Sequence, residues 1–111
     1  TEKEDSLQLG TIKHQTGYIE SPHIHKKKEK IILDVVETLH IVYGKVAVDF
    51  FEDDTKYSEV ILNPGDTALL IEGTHRIRVL ESFKGVKVKQ GPYQSIEDDK
   101  EFIEVIETDI N

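Results

Sequence analysis

His23-Ile24-His25 is the stretch of this chain best suited to chemistry. In an extended segment successive side chains point to opposite faces, so residues two apart share a face and His23 and His25 aim two imidazoles at one spot. Two neutral imidazoles so placed can hold a metal ion. The chain has no cysteine, which removes thiolate sites, disulfide frameworks and cysteine nucleophiles together. Any metal must therefore sit on nitrogen and oxygen ligands. Glu37 and His75 are the candidates to complete such a site, and the rest of the chain is read as the scaffold that brings the four together.

That scaffold is one domain, residues 1–111, with no tryptophan and a net charge of −8. A chain of this length buries roughly two thirds of the surface its unfolded form exposes, so it needs no disulfide staple. The acidic balance argues against nucleic acid as a partner, because phosphate binding wants a basic footprint. No apolar run approaches the ~20 residues of a membrane span, and the opening residues lack the apolar core of a signal peptide. A soluble, cytoplasmic protein is the expectation.

Along the chain, residues 1–8 are charged and polar and read as a loose arm. Residues 10–15 read as a first short strand carrying an exposed His14, and residues 18–25 as a second extended piece, with Pro22 suited to an edge. The charge run at 26–30 reads as a solvated turn, its functional alternative being a basic lip over a pocket. Residues 31–43 allow two readings. Ile32, Val35, Val36, Leu39 and Tyr43 follow helical spacing, which would make Glu37 and His40 a Glu-x-x-His pair. The density of β-branched residues favours a strand instead, with Glu37, Leu39, Ile41 and Tyr43 on one face and His40 on the other.

The remainder reads as strand and turn in alternation: strands at 45–51, 57–62, 67–71, 75–81 and 86–90, a hairpin turn at 52–54, and the β-turn signature Asn63-Pro64-Gly65-Asp66. Gly91-Pro92-Tyr93 breaks the pattern, and residues 94–111 form an acidic C-terminal extension with a turn and a last strand among its apolar residues. Many short strands so punctuated suggest an all-β sandwich or barrel.

Two motifs then coincide with those of a known family. Gly17 is followed by five residues and His23-Ile24-His25, and Glu37 by six residues and Gly44, while Pro64-Gly65-Asp66 and His75 follow in order. In these features the chain resembles a small single-domain cupin, whose fold is a jelly-roll barrel (double-stranded β-helix) of two facing antiparallel sheets. The resemblance implies a divalent transition metal on His23, His25, Glu37 and His75. There are departures. Eleven residues separate His25 from Glu37 where the family keeps a short gap, so residues 26–36 form an insertion. Glu29 sits at the usual gap but lacks the glycine that should follow it, which favours Glu37. In the second motif Ile71 replaces the usual proline, Val79 replaces the closing asparagine, and the spacing from Gly73 to His75 is one residue short.

A narrower resemblance, in the run from Val88 to Tyr93 with Asp99-Lys100 after it, is to small cupins associated with bacterial surface-polysaccharide genes. It implies a sugar or nucleotide sugar as ligand.

Three functions follow. A metal held by three imidazoles and a carboxylate keeps open positions, suits iron, manganese, nickel, cobalt or zinc, and can polarise a carbonyl or hold an enediolate, as an isomerase or epimerase of a sugar-derived carbonyl requires. Iron could instead activate oxygen. A metal-free nucleotide-sugar ketoisomerase would use paired histidines as acid and base with arginines on the phosphates, but Arg76 and Arg78 point away from His75 on a regular strand. A non-enzymatic small-molecule binder or sensor would line its barrel with apolar side chains and Tyr43. A homodimer through edge strands is expected in each case.

Overall fold

The β-branched run from Glu37 onward forms the organising strand of the computed structural model, which describes residues 1–32, 34–91 and 101–104. Every regular element among the described residues is a strand: β1 (Glu37–Glu52), β2 (Thr55–Leu62), β3 (Thr67–Leu70) and β4 (Thr74–Lys89). All pairings are antiparallel. The chain is all-β, as its punctuation predicts, and no helix among the described residues is long and apolar enough to cross a membrane.

β1 is central. β4 runs along one of its edges, from Glu37↔Lys89 to Phe51↔Thr74. The other edge is shared in turn: β3 pairs residues 37–40 and β2 pairs residues 46–52. The long β1/β4 ribbon is folded back on itself. His75 is registered to Phe50, at the far end of β1 from Glu37, and a straight strand would hold those ends about 40 Å apart. Yet the His75 and Glu37 side chains meet at 3.1 Å.

The fold falls at Gly44. Its φ is +88°, and Ser82 and Phe83 of β4 bulge opposite it, between the Tyr43↔Lys84 and Lys45↔Glu81 pairs. A Cβ at Gly44 would lie 2.2 Å from the Ser82 carbonyl oxygen and 2.5 Å from Phe83 Cα, so only glycine fits this crossing. The Asn63–Asp66 turn is clipped onto β1 beside the bend: the amide of Gly65 donates to the Ile41 carbonyl at 2.8 Å and the amide of Ile41 to the Asp66 carbonyl at 3.0 Å. This clip is what lets the chain leave β2 on one half of the fold and enter β3 on the other.

The two halves close on a shared core. Leu39, Ile41 and Leu70 come from one, Val46, Val48 and Leu62 from the other, and Phe50, Ala68, Ile77 and Phe83 pack against them. Each half has three strands and the sheet does not close into a complete barrel.

Several expected boundaries shift. The strands read at 31–43 and 45–51 are one strand that starts at Glu37, and those read at 75–81 and 86–90 are one strand, because bends at Gly44 and opposite it carry the ladder through. Residues 10–15 and 18–25 form no strand. The helical alternative for 31–43 is excluded, and His40 lies off the Glu37 face, its Nδ1 2.8 Å from Thr67 Oγ1. Most of the C-terminal extension at 94–111 lies outside the described residues; residues 101–104 carry no regular structure.

Candidate functional site

Glu37 opens β1 and His75 lies one residue into β4, so the fold-back delivers them from opposite ends of the ribbon to the mouth between its halves. The Glu37 side chain is 11% exposed and that of His75 31%. A carboxylate only accepts hydrogen bonds, so His75 Nε2–H donates to Glu37 Oε1 at 3.1 Å. The lone pair of the ring is then on Nδ1. A nearly buried carboxylate thus fixes the tautomer of a more accessible imidazole, the arrangement by which an acid orients a general base.

The pair faces a cleft of about 530 Å³. Val35, Ile77, Phe102 and Ile103 give it apolar walls, and Lys87, Lys89 and Glu101 bring charge to it. Lys87 Nζ stands 3.9 Å from Glu37 Oε2. In-register partners share a face, so Lys89 opposite Glu37 and Lys87 opposite Leu39 take the inner face of β4, and Val86 and Val88 are turned outward and half exposed. Neither lysine was singled out by the sequence reading. The signal that could have found them is the Val-Lys-Val-Lys alternation of residues 86–89, which requires one pair or the other to line the inner face.

His23 and His25 are side by side, with ring centroids 5.2 Å apart. His23 Nδ1 lies 2.9 Å from Glu20 Oε1 and 3.1 Å from the Ser21 carbonyl, both acceptors, so it carries the proton and leaves Nε2 as the lone-pair nitrogen. The segment that bears them is exposed and irregular. The four predicted ligands therefore stand as two pairs: among the described residues no three histidine or carboxylate side chains converge as metal ligands would. Glu37 and His75 have the separation of adjacent ligands on one ion, but the donor set as arranged does not make a complete metal centre. Glu29 is exposed in the irregular segment, and Tyr43 is exposed at the bend and does not line the cleft. His14 is exposed, stacked on Tyr18 at 3.9 Å.

A second polar cluster lies on the opposite face of β1 and β4. Asp49 is 0% exposed, and it accepts from Arg76 Nε at 3.1 Å, Arg78 Nε at 2.6 Å and Arg78 Nη2 at 2.9 Å, with Lys56 Nζ at 3.0 Å. Arg78 also bonds Glu59, and Arg76 covers the Phe51 ring at 5.1 Å. The Arg78 hydrogen bonds, aided by Lys56 and Arg76, hold the Asp49 carboxyl well below the usual carboxylate range against the upward pull of burial. The two arginines point away from His75, as alternation requires, and they are occupied with this carboxylate. The sequence reading missed Asp49. Its signal is the Arg-x-Arg at 76 and 78 on a strand, a pair that needs an acid on the facing strand.

Compared with known protein families, curated proteins and solved structures, the chain finds no match.

Proposed function

We propose that the chain is a cupin-like, jelly-roll-derived protein that binds a small sugar-derived carbonyl compound in the Glu37–His75 cleft and shifts a proton within it, as an isomerase or epimerase does. The observation that supports this reading is the 3.1 Å hydrogen bond that leaves His75 Nδ1 unprotonated in a ring lining the cleft. His75 Nδ1 takes the proton from the carbon next to the substrate carbonyl, leaving an enediolate. Glu37 stabilises the imidazolium so formed. Return of that proton to the neighbouring carbon, as the hydroxyl proton of the enediolate passes to the other oxygen, gives the isomer; the epimer requires protonation from the face opposite His75, by solvent water. No co-reactant is consumed. His75 is the catalytic residue and Glu37 a positioning residue.

A metal-dependent reading is favoured by one separate observation, the lone-pair Nε2 of His23 beside His25. In that reading the segment bearing His23 and His25 would have to close onto Glu37 and His75 for the four to hold a divalent ion, which would supply polarisation of the carbonyl. A homodimer through edge strands fits either reading, because the outer edges of β2, β3 and β4 are unpaired among the described residues.

The test is exchange of α-protons of ketoses and aldoses with solvent deuterium, followed by proton NMR, on protein whose metal content is known from elemental analysis. Exchange by chelator-treated protein, slowed on the order of 10²-fold or more in His75→Asn, is expected. Exchange that appears only with about one equivalent of metal and is lost in His25→Ala would replace the metal-free route by the metal-dependent one. No exchange with any substrate, with or without metal, would overturn both.

A further inference from the structure

The N-terminal segment has residues suited to strands and joins no sheet. Residues 10–15 and 18–25 form no strand, and every residue from 8 to 32 is exposed. Ile12, Ile19 and Ile24 stand 90%, 88% and 89% open to water, and the core cluster takes nothing from this segment. Single exposed apolar side chains are ordinary, but three nearly bare isoleucines on one segment mark a surface that meets a partner. β4 has the complementary deficit. It is 16 residues long and pairs with β1 along one edge, its other edge being unpaired among the described residues. A row of open N–H and C=O groups of that length is a template for another strand.

The two match in length and in where they bend. β4 divides at its bulge, Ser82 and Phe83, into residues 74–81 and 84–89. The N-terminal segment divides at Thr16 and Gly17, where Gly17 has a φ of +94° and the Tyr18 amide donates to the Gln15 carbonyl at 3.2 Å, into residues 10–15 and 18–25. Laid antiparallel, with Gly10 opposite Lys89 and His25 opposite Thr74, six residues meet six, the turn meets the bulge and eight meet eight. A third strand along β4 must bend with the ribbon, and this one carries a turn at that point. In the same register Ile19 lies opposite Leu80 and Thr11 opposite Val88, β4 residues that are 44% and 54% exposed, and no lysine, arginine or carboxylate faces another of its sign. We propose that residues 10–25 of one copy pair with the β4 edge of a second copy, and the reverse, in a strand-exchanged homodimer. The single chain leaves both surfaces unused, and an exchange in which each copy gives a strand and receives one closes with two-fold symmetry. Pro22 suits the outermost strand of the enlarged sheet, because a proline interrupts a central ladder.

Sedimentation equilibrium of the full chain should give twice the monomer mass. Ile19→Lys should weaken the association roughly tenfold or more, while Ile31→Lys, at a side chain 86% exposed but outside the paired residues, should leave it unchanged. Amide spectra establish that each variant keeps its β1 signals. The chain has no cysteine, so a disulfide reports the pairing directly. An equimolar mixture of Ile19→Cys and Leu80→Cys chains should oxidise to a covalent dimer holding one of each, as facing residues on paired strands allow. A monomer at every concentration, a dimer as tight in Ile19→Lys as in wild type, or a mixture that yields no mixed disulfide would overturn the exchange. So would a double variant, Ile19→Cys with Leu80→Cys, that closes its disulfide within one chain.

Discussion

Two carboxylates are buried among the described residues, Glu37 and Asp49, and they do different work. Among the described residues Glu37 accepts a hydrogen bond from His75 and has the Lys87 ammonium at 3.9 Å, while Asp49 is saturated by two arginines and a lysine. A fully satisfied buried carboxylate locks the register of the strands that supply its donors; one with a single basic partner leaves capacity for chemistry. A carboxyl held below its unfolded value of about 3.9 adds stability that is present above that pH and fades as pH falls toward the folded value. Asp49→Asn should therefore cost about 2–3 kcal/mol at neutral pH, less than a wholly buried pair because the guanidinium groups can turn to water. Urea melts should also show the variant losing less stability than wild type on acidification from about pH 5 to pH 2. Equal acid sensitivity of the two proteins would contradict the assignment.

Among the elements, β1 shows what a sequence reveals and what it hides. Alternation assigns Glu37, Leu39, Ile41 and Tyr43 to one face and His40 to the other, which holds as far as Ile41, whereas Tyr43 at the bend is exposed. It breaks at Gly44, where a glycine reads as the end of a strand. Only the bulged pairing with Ser82 and Phe83 keeps the ladder running through the bend. The same blindness splits β4 in two and hides the meeting of Glu37 with His75, which depends on a fold-back and not on any local period. The motif spacing singled out both residues, yet it also joined them to His23 and His25, which lie in a segment without the strand that spacing assumes. Gly44→Ala tests the hinge. A positive φ together with a clash against backbone atoms should cost at least about 2 kcal/mol in chemical denaturation, and the variant should lose the His75 to Glu37 contact. Unchanged stability would mean that the ribbon does not bend there.

For the whole molecule, the working site is a property of the fold-back. Neither half alone contains a base and its orienting acid, and the apolar core that joins the halves is also what presses Glu37 beneath His75. The open sheet leaves the mouth between the halves accessible, and the cleft there is large enough for a monosaccharide-sized ligand. Proton transfer in this cleft depends on the orientation of one imidazole. Nitrogen-15 NMR of the His75 ring, through its two-bond and three-bond proton couplings at about pH 8, above the ordinary imidazole range, reads that orientation directly. The tautomer protonated on Nε2, with Nδ1 bare, is expected, with a shift toward mixed tautomers in Glu37→Gln. A proton on Nδ1 in the wild type, or a ring indifferent to Glu37→Gln, would contradict it.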